Sequence, residues 1–366
     1  MNLKSLLMSS DEKTVRILRR VLSDLDIGIE HCPASDEVIR RITRQRFEAI
    51  IVDCADAERA GDVLRATKTA PVNKRALSIA LVDAPVGLKG GFDMGAHFVL
   101  HKPLAVERAK ASFRAVRALM KRERRLQLRV PVQVPVECIG AARYQAGTLD
   151  ICEGGMAIQF KGKIAREQSL RFVLTLPGMD QKLEIWGEMA WEGNGDQAGV
   201  RFKSVSEEQR TLLRKWLNAQ LPDAEPDDPP VTCRLTDLSL GACYLTTSTP
   251  FPKSARVLIT ARTTDIEARL SGVVRIAHPE FGMGVEFSQT RPEQRDQIRR
   301  MIEALRAGGQ SPDVHVEPEG LESSLEESLD PALDCEDALV GLFRQQSQLP
   351  VDAFVEQMHQ HRQLQD

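Results

Sequence analysis

Arginines and one carboxylate stand at the two ends of a stretch of strand-forming residues between positions 123 and 157. Arg125 and Arg129 lie four positions apart before the first run of that stretch, and Asp150 follows the second run. Because a β-hairpin returns its ends to each other, we expect these side chains to meet. A guanidinium offers a planar fork of donors that matches guanine and phosphate oxygens, and a carboxylate accepts from a guanine N–H edge. This chemistry predicts an anionic small molecule that carries guanine.

Further residues complete this candidate site. Arg124 precedes Arg125, and Asp150 opens the sequence Asp-Ile-Cys-Glu-Gly-Gly, which contains Cys152 and ends at Gly155. Glycines allow a backbone to come close to a ligand. The alternative interpretation is that the arginines are only the solvated basic end of a helix.

The stretch resembles the PilZ domain, a bacterial receptor module for cyclic di-GMP. The family pattern is R-x-x-x-R followed by [D/N]-x-S-x-x-G, and Arg125, Arg129, Asp150 and Gly155 match it. Cys152 stands where the family has serine, which is a departure. The resemblance implies that the arginines reach guanine edges and phosphates, and that Asp150 accepts from a guanine N–H. It also implies a six-stranded barrel with a C-terminal helix.

Composition narrows the class of protein. A chain of 366 residues is long enough for two or three domains, and its net charge of −3 argues against general nucleic-acid binding. Aromatic residues make up 5%, so we expect no base-stacking platform. Seven scattered cysteines without metal-ligand spacing fit reduced thiols and predict no metal site or cofactor. Without a signal peptide or a membrane-length apolar run, the sequence predicts a cytoplasmic protein.

The first 121 residues alternate strand and helix patterns. Five repeats of this alternation predict a doubly wound parallel (βα)5 sheet covered on both faces. Function in such sheets lies at the carboxyl ends of the strands. Asp53 follows one predicted strand and Lys102 another, so both are expected there.

This region resembles a response-regulator receiver domain. Asp53 matches the phosphoacceptor position, and Lys102-Pro103 matches the Lys-Pro pair after the fifth strand. Ser9 and Ser10 stand where the family has two acidic residues for Mg²⁺, with Asp11 as an alternative ligand if the register is shifted. Val82, followed by Asp83, stands where the family has a switch serine or threonine after the fourth strand. We expect a degenerate receiver that serves dimerisation or partner docking, with phosphorylation at Asp53 as the less favoured alternative.

The remainder of the chain is β-rich and repeats itself. Asp150-Ile-Cys-Glu-Gly-Gly returns as Asp237-Leu-Ser-Leu-Gly-Ala, and Gly199-Val-Arg-Phe returns as Gly284-Val-Glu-Phe, at offsets of about 85 to 87 residues. We predict a first PilZ domain at 122–221 and a second, degenerate one at 226–307. Acidic residues precede the second repeat where arginines precede the first. We therefore expect 226–307 to fold alone without binding cyclic di-GMP.

The last segment, residues 308–366, begins with Gly, Ser, Pro and Glu. This composition predicts an acidic disordered tail. Two short amphipathic helices are expected within it. The first carries Leu333, Leu339, Val340, Leu342 and Phe343, and the second, behind Pro350, carries Val351, Phe354, Val355 and Met358. Such helices either lie in a groove of a partner or fold back on the chain.

The sequence predicts a regulatory protein without catalytic activity. It contains no G-x-S-x-G, P-loop or H-E-x-x-H motif, and no sequence that would make or degrade cyclic di-GMP. We expect an effector that senses cyclic di-GMP through the first barrel and acts on an unknown protein partner. The sequence leaves open whether the chain forms a homodimer. A scaffold that binds no ligand is the alternative.

Overall fold

The computed structural model describes residues 3–83, 86–160, 169–193, 196–220, 227–264, 266–279, 281–288, 292–306, 311–322, 337–345 and 354. The chain divides into two compact units. Residues 1–123 together with 227–366 form one unit, and residues 124–226 form the other.

The N-terminal domain is a parallel sheet with helices on both faces, as predicted. Its strands are β1 (Leu3–Met8), β2 (Ile27–His31), β3 (Ala49–Asp53), β4 (Leu77–Val82) and β5 (Phe98–His101), in the order β2-β1-β3-β4-β5. Its helices are α1 (Glu12–Ser23), α2 (Ser35–Arg44), α3 (Ala57–Thr69), α4 (Gly87–Asp93) and α5 (Val106–Gln127). Every residue of β3 and β4 is buried, because α1 and α5 cover one face and α2 and α3 the other.

Helix α5 is longer than the sequence predicted. We expected it to end near Arg122, but it continues to Gln127. The residues between these positions are Glu, Arg, Leu and Gln, which are good helix formers, and no proline occurs between Arg122 and Pro131. Arg124 and Arg125 are therefore helical.

The first barrel, within residues 124–226, is closed and antiparallel. Its strands are β7 (Pro135–Ile139), β8 (Arg143–Cys152), β9 (Gly155–Phe160), β10 (Leu170–Leu174), β11 (Leu183–Glu192) and β12 (Gln197–Ser204), preceded by the short β6 (Val130–Pro131) and followed by α6 (Glu207–Gln220). The closed order is β8-β7-β10-β11-β12-β9, with β9 paired back to β8. Alternate side chains fill the interior, including Ile151, Met156, Phe172 and Val200.

One predicted strand of this barrel is broken into two. We expected a continuous strand from Val130 to Cys138, but β6 ends at Pro131 and β7 begins at Pro135. Proline has no N–H to donate to a strand partner, so two prolines four positions apart interrupt the ladder. The break lets β6 pair with one end of β8 and β7 with the other.

The second barrel is also closed, with six antiparallel strands. They are β13 (Val231–Leu238), β14 (Ala242–Thr246), β15 (Ala255–Arg262), β16 (Glu267–His278), β17 (Gly282–Phe287) and β18 (Asp313–Leu321), in the order β13-β14-β17-β16-β15-β18. Helix α7 (Pro292–Arg306) follows β17 and contributes Ile298 and Met301 to the core. The predicted repeat of barrel and helix is therefore confirmed.

Strand β18 corrects the prediction that the chain is disordered from residue 308. It lies between β13 and β15, the place that β7 takes between β8 and β10 in the first barrel. Val314 and Val316 alternate inward and join the core. The composition of this segment is dominated by glutamates and therefore predicted disorder. The two valines are enough for a strand here because β13 and β15 provide hydrogen-bonding partners on both sides. A fragment 226–307 lacks β18 and would leave β13 and β15 without the strand between them, so the second barrel extends beyond the predicted boundary at residue 307.

Helix α8 (Ala338–Gln345) agrees with the first amphipathic helix expected in the tail. Its apolar side chains pack on the second barrel together with Phe354. The rest of the second expected helix lies outside the described residues.

The N-terminal domain and the second barrel share a core within their unit. Asp228 Oδ1, just before β13, accepts from Arg117 Nη1 at 2.5 Å and from Lys121 Nζ at 2.8 Å, both on α5. Glu123 accepts from the backbone N–H of Leu321 in β18 at 2.5 Å. Apolar residues of α5, including Phe113 and Val116, belong to the same buried cluster as the barrel interior. The α5 side of the N-terminal domain is therefore covered by the second barrel of the same chain.

Candidate ligand-binding site

The ends of the predicted hairpin meet at the outer face of the first barrel. Pro131 in β6 lies opposite Asp150 in β8. Arg129, just before β6, donates from Nη1 to Asp150 Oδ1 at 2.5 Å. Their side chains are 44% and 28% exposed, so the pair remains open to solvent and to a ligand.

Arg124 and Arg125 are placed differently from Arg129. Both lie in the last turn of α5, and their carbonyls accept from the N–H of Leu128, each at 3.1 Å. Arg125 Nη2 donates to Asn218 Oδ1 of α6 at 3.1 Å. Arg124 and Arg125 thus lie at a basic helix end, whereas Arg129 lies beyond the helix and belongs to the barrel face, and a role of the first two in ligand binding stays a prediction.

A row of four paired residues crosses this face from Asp150. Asp150 lies opposite Ala157 in β9, Ala157 opposite Gly199 in β12, and Gly199 opposite Trp191 in β11. Neighbouring strands are about 4.8 Å apart, so the row spans about 14 Å. Ala157 and Gly199 in its middle are small and buried, Gly199 under the indole of Trp191, and the row has a carboxylate at one end and that indole at the other. We call this row the floor of the first barrel.

A second row runs beside the floor, two residues along β8, β9 and β12 and three along β11, where the register shifts. Cys152 lies opposite Gly155, Gly155 opposite Arg201, and Arg201 opposite Glu188. Arg201 Nη1 lies 3.6 Å from Glu188 Oε1. The face thus carries a further guanidinium, Arg201, that the sequence analysis did not select. The alternation of side chains along a strand would have indicated it, since Arg201 follows Gly199 by two positions and therefore lies on the same face.

Gly155 allows two strands to approach closely. A Cβ at this position would lie 2.3 Å from the carbonyl oxygen of Val200 in β12. The sequence analysis assigned the glycine to a close approach of ligand, but the neighbour that demands it is the backbone of β12. Gly155 therefore allows β9 and β12 to lie close together, and its contact with a ligand stays a prediction.

Cys152 is buried, with 4% of its surface exposed. Burial raises the pKa of its thiol above the ordinary value, against smaller effects of backbone hydrogen bonds from Gly154 and Gly155. The side chain is therefore a neutral thiol at pH 7. It can donate only weakly to a ligand, where a serine hydroxyl would donate well.

Trp191 was missed because the sequence analysis judged aromatic content by composition. Its indole lies directly on Gly199, where an added Cβ would be 2.0 Å from Nε1. It is still 46% exposed. One tryptophan at the right register makes a stacking surface whatever the overall aromatic content, so the expectation that stacking platforms are absent does not hold for this face.

The N-terminal domain brings Asp53, Lys102 and Ser9 together at the carboxyl edge of its sheet. Asp53 is 6% exposed, and its Oδ1 accepts from Lys102 Nζ at 2.7 Å while its Oδ2 accepts from Ser9 Oγ at 2.6 Å. Lys102 Nζ also lies 3.1 Å from Asp83 Oδ2. Burial lowers the pKa of Lys102, but the hydrogen bonds to Asp53 and Asp83 outweigh it, so this pKa lies above its usual value and the ammonium is retained.

Asp11, the alternative metal ligand, caps helix α1. Its Oδ1 accepts from the N–H of Lys13 at 3.0 Å and its Oδ2 from Thr14 Oγ1 at 2.6 Å. The hydrogen bond from Thr14 lowers the pKa of Asp11. The described residues contain no group of three or more His, Cys, Asp and Glu side chains arranged to hold a metal ion.

We expect Asp53 to accept no phosphoryl group. The serines at positions 9 and 10 supply no charge to anchor Mg²⁺, and both oxygens of Asp53 already accept short hydrogen bonds. Full-length protein incubated with Mg²⁺ and beryllofluoride should show no stoichiometric adduct by intact-mass and fluorine NMR measurements. The Ser9→Asp, Ser10→Asp double variant, which restores the carboxylates, is the matched control. An adduct on the unmodified chain that disappears in Asp53→Asn would contradict the expectation.

Residues 123–219 and 222–304 each match the family model of the PilZ domain. The two barrels are PilZ domains. Strand β18 lies beyond the second matched region, so the second PilZ domain recruits its sixth strand from after the matched sequence.

Solved structures give similar folds. One is the receiver domain of a sensor histidine kinase from Pseudomonas aeruginosa, with 18% identity over 33% of this chain and 98% of that chain, and a TM-score of 0.29. Another is the PilZ domain of CeSA from a cellulose-synthesizing bacterium, with 18% identity over 25% and 97%, and a TM-score of 0.22. A third is the inhibitor of motility of Bacillus subtilis, with 12% identity over 27% and 52%, and a TM-score of 0.24. No curated protein matches the chain.

The second PilZ domain has the motif that begins at Asp237, but its sequence has no counterpart of residues 124–129 of the first domain, which we call the arginine segment. Asp237, Tyr244, Gly284 and Ile276 form the row that corresponds to the floor of the first barrel. In the first domain the position between β8 and β10 is held by β7, which follows the arginines; in the second the equivalent position of the barrel is held by β18, which comes from the C-terminal side.

No helix in the described part of the chain is long and apolar enough to cross a membrane.

Proposed function

We propose that the first PilZ domain binds cyclic di-GMP and that the chain is a regulatory effector that passes this binding on to a protein partner. The observation that supports the proposal most is the floor of the first barrel, with Arg129 and Asp150 at one end and Trp191 at the other. Cyclic di-GMP carries two planar guanines and two phosphates, which suit an exposed indole and nearby guanidiniums.

Each part of this face has a separate task in the proposal. Trp191 stacks on a guanine, an interaction worth about 1–3 kcal/mol per base. Arg129 reaches a phosphate or the guanine O6 and N7 atoms, and Asp150 accepts from a guanine N–H. Arg201 adds positive charge beside the floor, and Arg124 and Arg125 supply more from the end of α5.

The Arg129–Asp150 ion pair does not prevent binding. Half-exposed ion pairs of this kind are worth about 0–1 kcal/mol, because water screens them. A hydrogen bond to a charged group in a ligand complex contributes about 1.5–3 kcal/mol. Exchanging the internal pair for ligand contacts is therefore favourable, and the pair holds both side chains near their binding positions beforehand.

Calorimetry on the purified full chain tests the proposal. Titration with cyclic di-GMP should give saturable binding at one domain. Cyclic di-AMP is the matched control, because it keeps both phosphates but lacks the guanine O6 acceptor and the N–H that Asp150 would take, so it should bind much more weakly. Absence of binding at high micromolar cyclic di-GMP would refute the proposal.

Replacing Cys152 by serine is expected to leave the affinity for cyclic di-GMP equal or to raise it by up to about tenfold. A hydroxyl is a better donor than a thiol, and one hydrogen bond contributes about 0.5–1.5 kcal/mol. Calorimetry on Cys152→Ser, with Cys152→Ala as a control that removes the donor, measures the effect. Weaker binding by a Cys152→Ser protein that melts like wild type would contradict the assigned position of the thiol.

A scaffold without a ligand is the second candidate function. It is favoured by Ser9 bonded to Asp53 in the N-terminal domain and by the missing arginine segment of the second PilZ domain. These features leave the first PilZ domain as the one sensing module. If that domain fails the calorimetric test, the scaffold takes its place.

A further inference from the structure

The C-terminal segment covers the second barrel on the row that corresponds to the floor of the first. Phe343 of α8 lies on Gly284, where an added Cβ would be 2.6 Å from its Cζ atom. Tyr244 and Ile276, the neighbours of Gly284 in that row, are buried in one cluster with Leu339, Val340, Phe343 and Phe354. The segment therefore occupies the face that the first barrel leaves open.

Phe354 completes this contact from further along the chain. Its ring centroid lies 5.4 Å from that of Tyr244 and 4.7 Å from that of His278, and the side chain is fully buried. Tyr244 Oη and His278 Nδ1 are 2.9 Å apart and form a hydrogen bond beneath it. Burial lowers the pKa of His278 to about 4, so the imidazole is neutral at pH 7 and the cluster carries no charge.

Asp337 fixes the polar end of the segment. Its Oδ2 accepts from the N–H of Gly241 at 2.9 Å, and its Oδ1 accepts from the N–H groups of Leu339 and Val340 at 3.1 and 3.2 Å. The carboxylate thus caps α8 and binds the motif loop at the same time. In the first barrel the corresponding loop glycine, Gly154, faces the carbonyl of Leu126, within the arginine segment. The acidic start of α8 stands where the arginine segment stands in the first domain.

We infer that this face of the second PilZ domain is a peptide-binding site, specific for an amphipathic helix with an acidic N-cap, and that Asp337, α8 and Phe354 occupy it as a tethered ligand. The inference goes beyond cyclic di-GMP binding and does not depend on it. The site recognises a carboxylate through Gly241, an aromatic ring over Gly284, and a second ring against Tyr244 and His278.

The chemistry of the face suits a peptide and not a nucleotide. Tyr244 stands where the floor of the first barrel has Ala157, and Glu286 stands where the row beside that floor has Arg201. A small residue is thus replaced by a large one, and a positive charge by a negative one. Glu286 Oε2 accepts from Arg275 Nε at 2.8 Å. Asp337 adds a negative charge at the loop, which would repel a phosphate. A partner helix with the same pattern would compete with the tail, and its docking would depend on release of the tail.

Cutting the tether tests the inference on the intact chain. A site for a specific protease is inserted between Leu329 and Asp330 of the full-length protein, and the purified protein is cleaved. The fragment that contains α8 should remain bound and co-elute with the body. A fluorescein-labelled synthetic peptide of residues 331–366 should exchange into the cleaved protein, and excess unlabelled peptide should displace it.

Variants of the tail make the test specific. Phe343→Ala should weaken peptide binding at least about tenfold, because a fully buried ring is lost. Asp337→Ala should also weaken it, since both the helix cap and the bond to Gly241 disappear. Gly341→Ala is the matched control, because an added Cβ there meets nothing within 4 Å, and it should bind as well as the parent or better. Immediate loss of the cleaved fragment at micromolar protein, or unchanged binding by Phe343→Ala, would overturn the inference.

Discussion

Arg129→Ala is expected to weaken cyclic di-GMP binding at least about tenfold, because a charge-assisted contact worth about 1.5–3 kcal/mol is lost. The folded state should be little affected, since Arg129 is exposed and its pair with Asp150 contributes about 0–1 kcal/mol at such a surface. Calorimetry measures the affinity, and thermal unfolding checks that the domain is intact.

Arg143→Ala is the matched control for this variant. Arg143 is also an exposed arginine of β8, paired with Glu137 at 3.3 Å, but it lies at the far end of the strand from Asp150. It removes the same charge from the same domain and should leave the affinity within about twofold, since one distant exposed charge contributes little. If Arg129→Ala binds as well as Arg143→Ala, the arginine is wrongly assigned.

Val316→Asp is expected to destabilise the second barrel by at least about 3 kcal/mol. Val316 is fully buried in β18 and pairs with Val231 and Ile259 of the flanking strands. An aspartate there would bury a charge without a partner. A disordered tail would tolerate the change, so this variant separates the two accounts of residues 308–322.

The distribution of tryptophan allows the two barrels to be followed separately. All three tryptophans, Trp186, Trp191 and Trp216, lie in the first PilZ domain. Urea unfolding of Val316→Asp should therefore show an early transition by circular dichroism and an unchanged transition by tryptophan fluorescence. His315→Asp, on the opposite side of the same strand, should shift either transition by less than about 1 kcal/mol. Unchanged circular dichroism for Val316→Asp would mean that β18 does not close the barrel.

The sequence was sufficient where the signal was local or repeated. The parallel sheet followed from buried strands that alternate with amphipathic helices, and Asp53 and Lys102 meet because carboxyl ends of parallel strands share an edge. The repeat of Asp150 and Gly199 as Asp237 and Gly284 predicted a second barrel, because nearly equal offsets in two motifs indicate the same order of strands. Arg129 and Asp150 meet because short antiparallel strands bring their ends together.

Other features needed the tertiary structure, because their causes are distant in the chain. β18 carries only two inward valines, and it is a strand because β13 and β15 leave a gap between them. Trp191 becomes part of the site through the registers that align it with Gly199, Ala157 and Asp150. Asp337 and Phe343 reach the second barrel across about 100 residues of chain. The sequence by itself determined the elements and the motif residues. Strand pairing between remote segments aligned Trp191 with Asp150 on the first barrel, and packing of α8 and Phe354 covered the corresponding face of the second.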